Sequence, residues 1–171
     1  FPYTTLFRSN LLKTLRLQDP LCCKLQAMKT FSSISYYDTH AQEFFDSTVH
    51  YDLSEIYALF LSHLPKGARI LDAGCGSGRD SKYFLSQGYE VEAFDGSLEL
   101  VKLARQFTGL LVHHKRFEDV VEREVFDGIW ASASLLHIPQ DALLSVLEKL
   151  KAALRPGGGM VHVLSVWRRR P

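Results

Sequence analysis

A glycine-rich turn is the feature of this sequence best suited to holding a small molecule. In the segment ARILDAGCGSGRD (68–80), an apolar run ends in glycines at positions 74, 76 and 78. Glycines permit a close approach of the backbone, and a helix that follows them points free N–H groups at the turn. The turn would hold an anion or a zwitterionic amino acid, or else it joins a strand to a helix and binds nothing.

The spacing of these glycines argues against a dinucleotide. The dinucleotide fingerprint G-x-G-x-x-G requires its third glycine at position 79, where this chain has an arginine. A nicotinamide-dependent oxidoreductase would also need a catalytic pair such as Tyr-x-x-x-Lys, and we find none. That class of enzyme is therefore the less favoured alternative.

A carboxylate ends the next apolar run, YEVEAFD (89–95). Asp95 lies roughly 20 residues after the glycine turn, where a carboxylate can accept hydrogen bonds from both hydroxyls of a ribose. Its alternative role is a negative charge at the start of the next helix, but Ser97 can already cap that helix. An unmodified ribose is indicated, because a 2′-phosphate would repel the acid.

Two later segments carry further polar and aromatic groups. In RFEDV (116–120), Phe117 could cover a base while Glu118 or Asp119 accepts from its exocyclic amine; the alternative is a solvated acidic loop with one anchoring aromatic. His137 follows a predicted strand, and its ordinary pKa near neutrality makes it the candidate general base. Its alternative role is to cap the LLHIP turn.

Strands and helices alternate along the chain and must position these groups. We predict strands over 68–72, 89–95, 110–114, 126–133 and 160–166, and helices over 79–87, 97–107 and 141–154, after a helical stretch over 36–64. This order predicts an α/β fold with a Rossmann-like, doubly wound, mostly parallel sheet and helices on both faces. Ligands of such sheets bind at the carboxyl ends of the strands, beside the first strand.

Composition and cysteine spacing argue against several classes of partner. The chain has 171 residues, with 20 Lys and Arg against 19 Asp and Glu, which fits one domain without the basic excess of most nucleic-acid-binding proteins. No apolar run approaches the ~18 residues of a membrane span. Cys22, Cys23 and Cys75 lack the spacing of a zinc site, and they indicate reduced thiols in a cytoplasmic protein. We expect no nucleic acid, membrane or metal partner, and the oligomeric state stays open.

The first 27 residues differ from the rest of the chain. They lack an initiating Met, show no sustained periodicity and contain one acid, Asp19. Their composition resembles an organelle transit peptide, but we favour translated upstream sequence, with Met28 as the start. We therefore predict a non-native or disordered leader over 1–27 and a functional domain over 28–171.

Four segments together resemble the class I S-adenosylmethionine-dependent methyltransferases: ILDAGCGSGRD, AFD, FDGIWASASLLHIP and LRPGGGMVHVLS. Within that family the chain is most similar to small bacterial enzymes of the tellurite-resistance and general small-molecule type, over about 36–165. The resemblance implies S-adenosylmethionine as cofactor and in-line transfer of its methyl group to a small-molecule nucleophile. In such a reaction the protein mainly aligns the reactants and excludes water.

The resemblance also implies which residues bind the cofactor. Those expected around the methionine part, the ribose, the adenine and the sulfonium are Asp72, Gly74, Cys75, Gly76, Gly78, Asp95, Gly96, Ser97, Phe117, Glu118 and Ala131. Arg79 matches a position that can face the methionine carboxylate, and its alternative is a surface salt bridge to Asp80 or Glu99. Tyr37 resembles the aromatic that closes over the cofactor, and it could equally be a core residue.

The sequence departs from the family's pattern in two places. Arg116 stands where many relatives have an acid before the aromatic of the adenine loop. The helix and closing antiparallel hairpin that normally follow the fifth strand are missing, so we expect an open sheet edge there and an incomplete substrate wall. The main alternative function is therefore a non-catalytic or incomplete cofactor-binding domain.

Overall fold

The computed structural model describes residues 4–8 and 33–163. The helices are α1 (Ser33–Thr39), α2 (Ala41–Thr48), α3 (Ser54–Leu61), α4 (Arg79–Ser86), α5 (Leu98–Thr108) and α6 (Gln140–Ala153). The strands are β1 (Thr4–Arg8), β2 (Arg69–Ala73), β3 (Glu90–Asp95), β4 (His113–His114), β5 (Phe126–Ser132) and β6 (Leu154–Val163). Two 3-10 turns, Phe117–Asp119 and Leu135–His137, follow β4 and β5.

The six strands form one sheet in the order β1-β6-β5-β2-β3-β4. Strands β2 to β6 are parallel to one another, and β1 is antiparallel to β6. The chain proceeds from β2 outward to β3 and β4, then returns to β5 on the other side of β2. The predicted α/β fold with a doubly wound, mostly parallel sheet is confirmed, and the point where strand order reverses lies beside β2.

The expected open edge at β6 is not observed. The backbone of Thr4–Arg8 pairs with β6 from Val163 back to Gly159, so the outer side of β6 is hydrogen-bonded within the sheet. Our expectation was wrong because it left 1–27 out of the fold, and pairing between distant segments has no local sequence signal. The division at residue 28 stays a prediction, and Cys22 and Cys23 lie outside the described residues.

Three element boundaries also differ from the sequence prediction. The helical stretch over 36–64 is three helices, separated at His40 and over 49–53. The strand predicted over 110–114 has two residues, and the last strand begins at Leu154, where the end of a helix was expected. The last three residues of the strand predicted over 160–166 lie outside the described residues.

The core occupies both faces of the sheet, because successive strand residues point to opposite sides. On β5, Ile129 packs in a cluster with Phe94, Val146 and Leu150 under α6. The next residue, Trp130, packs on the other face in an aromatic cluster. Its members are Tyr57, Phe60, Phe84 and Trp130. This packing fixes the carboxyl ends of β2, β3 and β5 side by side, where the predicted site residues lie.

Candidate functional site

The turn between β2 and α4 requires its glycines. Gly74, Gly76 and Gly78 have φ angles of 74°, 55° and 78°, in the left-handed region that favours glycine. A Cβ on Gly74 would lie 2.5 Å from Cβ of Ser134, and one on Gly78 would lie 2.8 Å from Cγ2 of Thr108. The predicted strand–turn–helix unit is therefore present, with the start of α4 directed at the turn.

Asp95 joins the glycine turn to the end of β3. One carboxylate oxygen accepts from the N–H of Gly76 at 2.8 Å, and the other accepts from the N–H of Ser97 at 2.8 Å. Burial raises the pKa of Asp95, while the N–H groups of Ser97, Gly76 and Gly96 lower it. A carboxylate has about four lone-pair sites, so Asp95 keeps acceptor capacity for a further donor. Its contact with the ribose hydroxyls stays a prediction.

Ser97 acts as the predicted cap of α5. Its hydroxyl oxygen accepts from the N–H of Leu100 at 3.2 Å, and its O–H donates to the carboxylate of Asp38 at 2.6 Å. Asp38 also accepts from the N–H of Glu99 at 3.3 Å. Asp38 was not among the predicted site residues, because its contact with Ser97, 59 residues later, leaves no local pattern in the sequence.

Asp72 is buried at the end of β2 and supports the turn from within. Its carboxyl accepts from the hydroxyl of Ser81 on α4 at 2.6 Å. Burial, followed by the charge of Asp80, raises the pKa of Asp72 to about 8. Because the side chain is 1% exposed, its observed role is to hold α4 against β2, and a direct contact with the cofactor stays a prediction.

Arg79 takes part in a buried polar network that the sequence did not reveal. Its Nε donates to Asp80 at 2.6 Å, so the observed partner is one of the two alternatives considered for it. The other oxygen of Asp80 accepts from the indole N–H of Trp130 at 2.7 Å, and Tyr57 donates its hydroxyl to Asp80 at 2.5 Å. Arg79 also donates to the carbonyl of Thr48 at 3.3 Å. A role on the methionine carboxylate stays a prediction.

Helices α1 and α2, which we call the covering helices, lie over the glycine turn. Cε1 of Phe44 on α2 is 3.0 Å from the place of a Cβ on Gly76. Cδ1 of Ile34 on α1 is 3.1 Å from the place of a Cβ on Gly96. The covering helices therefore contact the backbone predicted to hold the cofactor.

Tyr37 and His137, two predicted site residues 100 positions apart, are in contact. The phenol oxygen of Tyr37 lies 3.0 Å from Nε2 of His137, and their ring centroids are 5.3 Å apart, edge to face. Burial, then the charge of Asp95, raises the pKa of Tyr37, whereas burial lowers the pKa of His137. The hydrogen bond of the His137 ring joins the covering helices to the end of β5, rather than capping its own turn.

The adenine-loop residues are arranged around one buried ring. Phe117 packs edge to face on Phe94, with centroids 5.2 Å apart. The Glu118 side chain is exposed, its backbone carbonyl accepts from Nζ of Lys149, and Asp119 accepts from the N–H of Arg116 at 3.1 Å. Phe117 thus has the anchoring position considered in the sequence analysis, and contact with a base stays a prediction.

Two more predicted residues are buried. Cys75 packs against apolar residues of β3 and α5, and burial raises the pKa of its thiol well above the ordinary value, so the thiol is protonated. Ala131 lies near the end of β5 and has no exposed surface. Contact of either residue with the cofactor stays a prediction.

Neither a metal cluster nor a membrane span is found in the part of the chain that the structure describes. Within residues 4–8 and 33–163, no three His, Cys, Asp or Glu side chains are grouped to hold a metal ion. No helix among these residues is long and apolar enough to cross a membrane. The cytoplasmic location stays a prediction from the cysteines.

The family follows from comparison with known proteins. A model of the methyltransferase domain matches residues 45–169, which include the glycine turn, Asp95 and the loops after β4 and β5. The chain therefore belongs to this methyltransferase-domain family, of the class I S-adenosylmethionine-dependent type.

Two curated relatives are similar to the chain in sequence. Malonyl-[acyl-carrier protein] O-methyltransferase of Salmonella typhimurium is 37% identical over 95 residues, which are 53% of this chain and 36% of that protein. Ubiquinone biosynthesis O-methyltransferase of Xanthomonas axonopodis pv. citri is 33% identical over 114 residues, 63% of this chain and 46% of that protein. The chain thus spans less than half the length of both relatives.

Two solved structures have a similar fold. The 1,6-didemethyltoxoflavin-N1-methyltransferase of Burkholderia thailandensis, solved with 1,6-didemethyltoxoflavin and S-adenosylhomocysteine, is 28% identical with a TM-score of 0.65. The match covers 88% of this chain and 66% of that one. A TehB-like S-adenosylmethionine-dependent methyltransferase from Corynebacterium glutamicum is 26% identical with a TM-score of 0.65. Here the match covers 75% of this chain and 72% of that one.

Proposed function

We propose that this chain binds S-adenosylmethionine at the carboxyl edge of β2 and β3 and transfers its methyl group to a small-molecule nucleophile. The observation that carries the proposal is the Asp95 carboxylate, bonded to the N–H groups of Gly76 and Ser97 with lone pairs left over. When bound, the cofactor supplies a methyl group on a positively charged sulfur, which keeps the electron pair of the broken carbon–sulfur bond.

The residues present fit such a cofactor. The left-handed glycines at 74, 76 and 78 allow close approach of a ligand to the turn, and the start of α4 offers N–H groups to a carboxylate. Asp95 would accept from the ribose hydroxyls. Gly96 and Ser97 would follow the ribose, Phe117 and Glu118 would flank the adenine, and Ala131 would lie near the sulfonium.

The acceptor is proposed to be a small molecule that lies between the end of β5 and the covering helices. The family members named above include an enzyme solved with the small heterocycle 1,6-didemethyltoxoflavin and an O-methyltransferase of ubiquinone biosynthesis. His137 lies at this place and is the proposed general base.

Calorimetric titration of the purified chain with S-adenosylhomocysteine, and with NAD for comparison, tests the cofactor site. We expect micromolar binding of S-adenosylhomocysteine and no binding of NAD. In Asp95→Ala the affinity for S-adenosylhomocysteine should fall by at least about 100-fold, because the substitution removes charge-assisted hydrogen bonds. Asp52→Ala is the matched control, since Asp52 also accepts from the N–H two residues on but lies in an exposed loop. A cooperatively folded chain that binds neither ligand would overturn the proposal.

A further inference from the structure

The contact between Tyr37 and His137 places two proton-carrying groups at the end of β5. The phenol oxygen of Tyr37 is within hydrogen-bond distance of Nε2 of His137, at 3.0 Å. Tyr37 is half-buried, whereas His137 keeps part of its ring in contact with solvent. A proton that reaches His137 therefore has a path to water.

Both groups of this hydrogen bond are neutral near neutral pH. Tyr37 keeps its proton near neutral pH, because burial and the charge of Asp95 raise its pKa. His137 is neutral there, because burial lowers its pKa. We assign the phenol as the donor to Nε2, the arrangement in which the ring hydrogen of His137 lies on Nδ1.

The position of Tyr37 is fixed by its neighbours on the covering helices. The ring packs edge to face on Phe44, with centroids 5.0 Å apart, and Phe44 itself lies on Gly76. The next residue, Asp38, accepts a hydrogen bond from Ser97. Tyr37 is thus held between the proposed ribose site on one side and His137 on the other.

We propose that Tyr37 and His137 form a proton relay for the methyl acceptor, in which Tyr37 contacts the acceptor and His137 receives the proton. This inference rests on the proposed function and names the acceptor class: a hydroxyl or an N–H group, which must lose a proton on methylation. As the acceptor gives its proton to the phenol oxygen of Tyr37, the phenol passes its own to Nε2 of His137. Tyr37 ends neutral, and the imidazolium of His137 releases the proton to solvent.

A carboxylate acceptor is the contrasting class. It carries no proton at neutral pH, so its methylation gains nothing from a relay. Removal of the Tyr37 hydroxyl would therefore slow methylation of hydroxyl acceptors and leave methylation of carboxylates unchanged. This difference separates a relay from a purely structural role, which would affect both classes alike.

The chain offers a matched control for Tyr37→Phe. Tyr36, the preceding residue, stacks on a different histidine, His40, with ring centroids 4.3 Å apart, and its side chain is 48% exposed. Tyr36→Phe removes a phenol hydroxyl from the same helix and keeps the Tyr36 ring, which packs edge to face on Tyr37 with centroids 5.7 Å apart. Both variants keep the aromatic ring, so packing on Phe44 is preserved in Tyr37→Phe.

The first measurement is a ¹⁵N NMR titration of the histidine rings in the full chain without ligand. We expect the pKa of His137 to rise in Tyr37→Phe, because the neutral ring loses its donor, and to stay unchanged in Tyr36→Phe. The second measurement is turnover with two probes, catechol as hydroxyl acceptor and monoethyl malonate as carboxylate acceptor. For catechol we expect kcat to fall by about 100-fold or more in Tyr37→Phe, and to stay near the wild-type value in Tyr36→Phe.

The outcomes separate this inference from the cofactor proposal. An unchanged pKa of His137 in Tyr37→Phe overturns the relay, and so does undiminished catechol turnover. An equal loss with both probes also overturns it, in favour of a structural role. If the wild-type chain binds no S-adenosylhomocysteine, the cofactor proposal fails, while the titration still decides whether the pair exists.

Discussion

The polar groups on the two sides of the glycine turn differ in burial. On one side, Asp80 is 5% exposed and bonds Tyr57, Trp130 and Arg79. On the other side, the Tyr37–His137 and Asp38–Ser97 bonds of the covering helices lie in partly exposed surroundings. Side-chain hydrogen bonds thus serve two purposes. The buried bonds around Asp80 fix the glycine turn, and the partly exposed bonds of the covering helices can change when a ligand binds.

The energies of the two sets follow from their surroundings. A buried charge that loses its partners costs several kcal/mol, because neither water nor another group replaces them. A partly exposed hydrogen bond contributes about 1 kcal/mol, since water can take its place. Mutations in the buried network should therefore lower the free energy of unfolding by several kcal/mol, whereas mutations in the covering helices should change binding with little loss of stability.

The largest effect is expected for Asp80→Ala. The substitution leaves the Arg79 guanidinium without its partner and the Trp130 indole N–H without an acceptor, so we expect a loss of about 3–5 kcal/mol in the free energy of unfolding. Urea denaturation followed by circular dichroism measures it. Glu99→Ala, which breaks the exposed pair with Lys102, is the control and should cost less than about 1 kcal/mol. If both variants lose the same free energy of unfolding, the buried and the partly exposed side of the glycine turn do not differ in their contribution to stability.

The second-largest loss of stability is expected for Gly78→Ala. The new methyl group would meet Thr108 at 2.8 Å and Ala104 at 3.1 Å, at a φ of 78°. We expect a loss of about 2–4 kcal/mol, from left-handed strain together with overpacking. Gly88→Ala is the matched control: its φ is 83° and no atom lies within 4 Å of the new methyl group, so strain alone should cost about 1–2 kcal/mol. Thermal unfolding that gives both variants the same stability would contradict the packing argument.

A pH-dependent effect is expected for Asp72→Asn. The raised pKa of Asp72, about 8, means that folding favours the protonated carboxyl. Its contribution to stability is fully present below the ordinary pKa near 4 and is lost as the pH rises toward 8. Asparagine stays neutral, so the stability of Asp72→Asn relative to wild type should increase over this range, by at most about 1.4 kcal/mol per pH unit. Urea denaturation at a series of pH values checks this; a constant difference would contradict it.

The sequence predicted those parts of the site that depend on a residue's own backbone conformation or on neighbours a few positions away. Glycines at Gly74 and Gly78 mark a turn because few other residues adopt that backbone, and Ser97 caps α5 through a contact three residues away. The bonds of Tyr57 and Trp130 to Asp80 and the Asp38–Ser97 bond join residues 23, 50 and 59 positions apart. The pairing of β1 with β6 joins the two ends of the described chain. Such contacts depend on the assembled fold, so periodicity and spacing did not indicate them.

The smallest change in stability is expected for Asp38→Ala, in the covering helices. Loss of the bond to Ser97 should lower the free energy of unfolding by about 1 kcal/mol or less. Because Ile34 and Phe44 lie on the glycine backbone, we expect the covering helices to shift when a ligand binds at the turn. If the packing of the covering helices on the glycine turn is weakened by about 1 kcal/mol, the fraction of molecules in which these helices have moved away rises about fivefold. S-adenosylhomocysteine should then associate about fivefold faster in stopped-flow experiments.

Hydrogen exchange tests the same variant without a ligand. Amides of α1 should exchange faster in Asp38→Ala, while those of β2 and α4 stay protected, because the buried network is intact. Gln42→Ala is the control, since Gln42 bonds only Asp46 within α2 among the contacts described, and that bond is exposed. Faster exchange in β2 as well would mean that the two sides of the turn open together, and the covering helices would then be part of the rigid fold rather than a separately moving element.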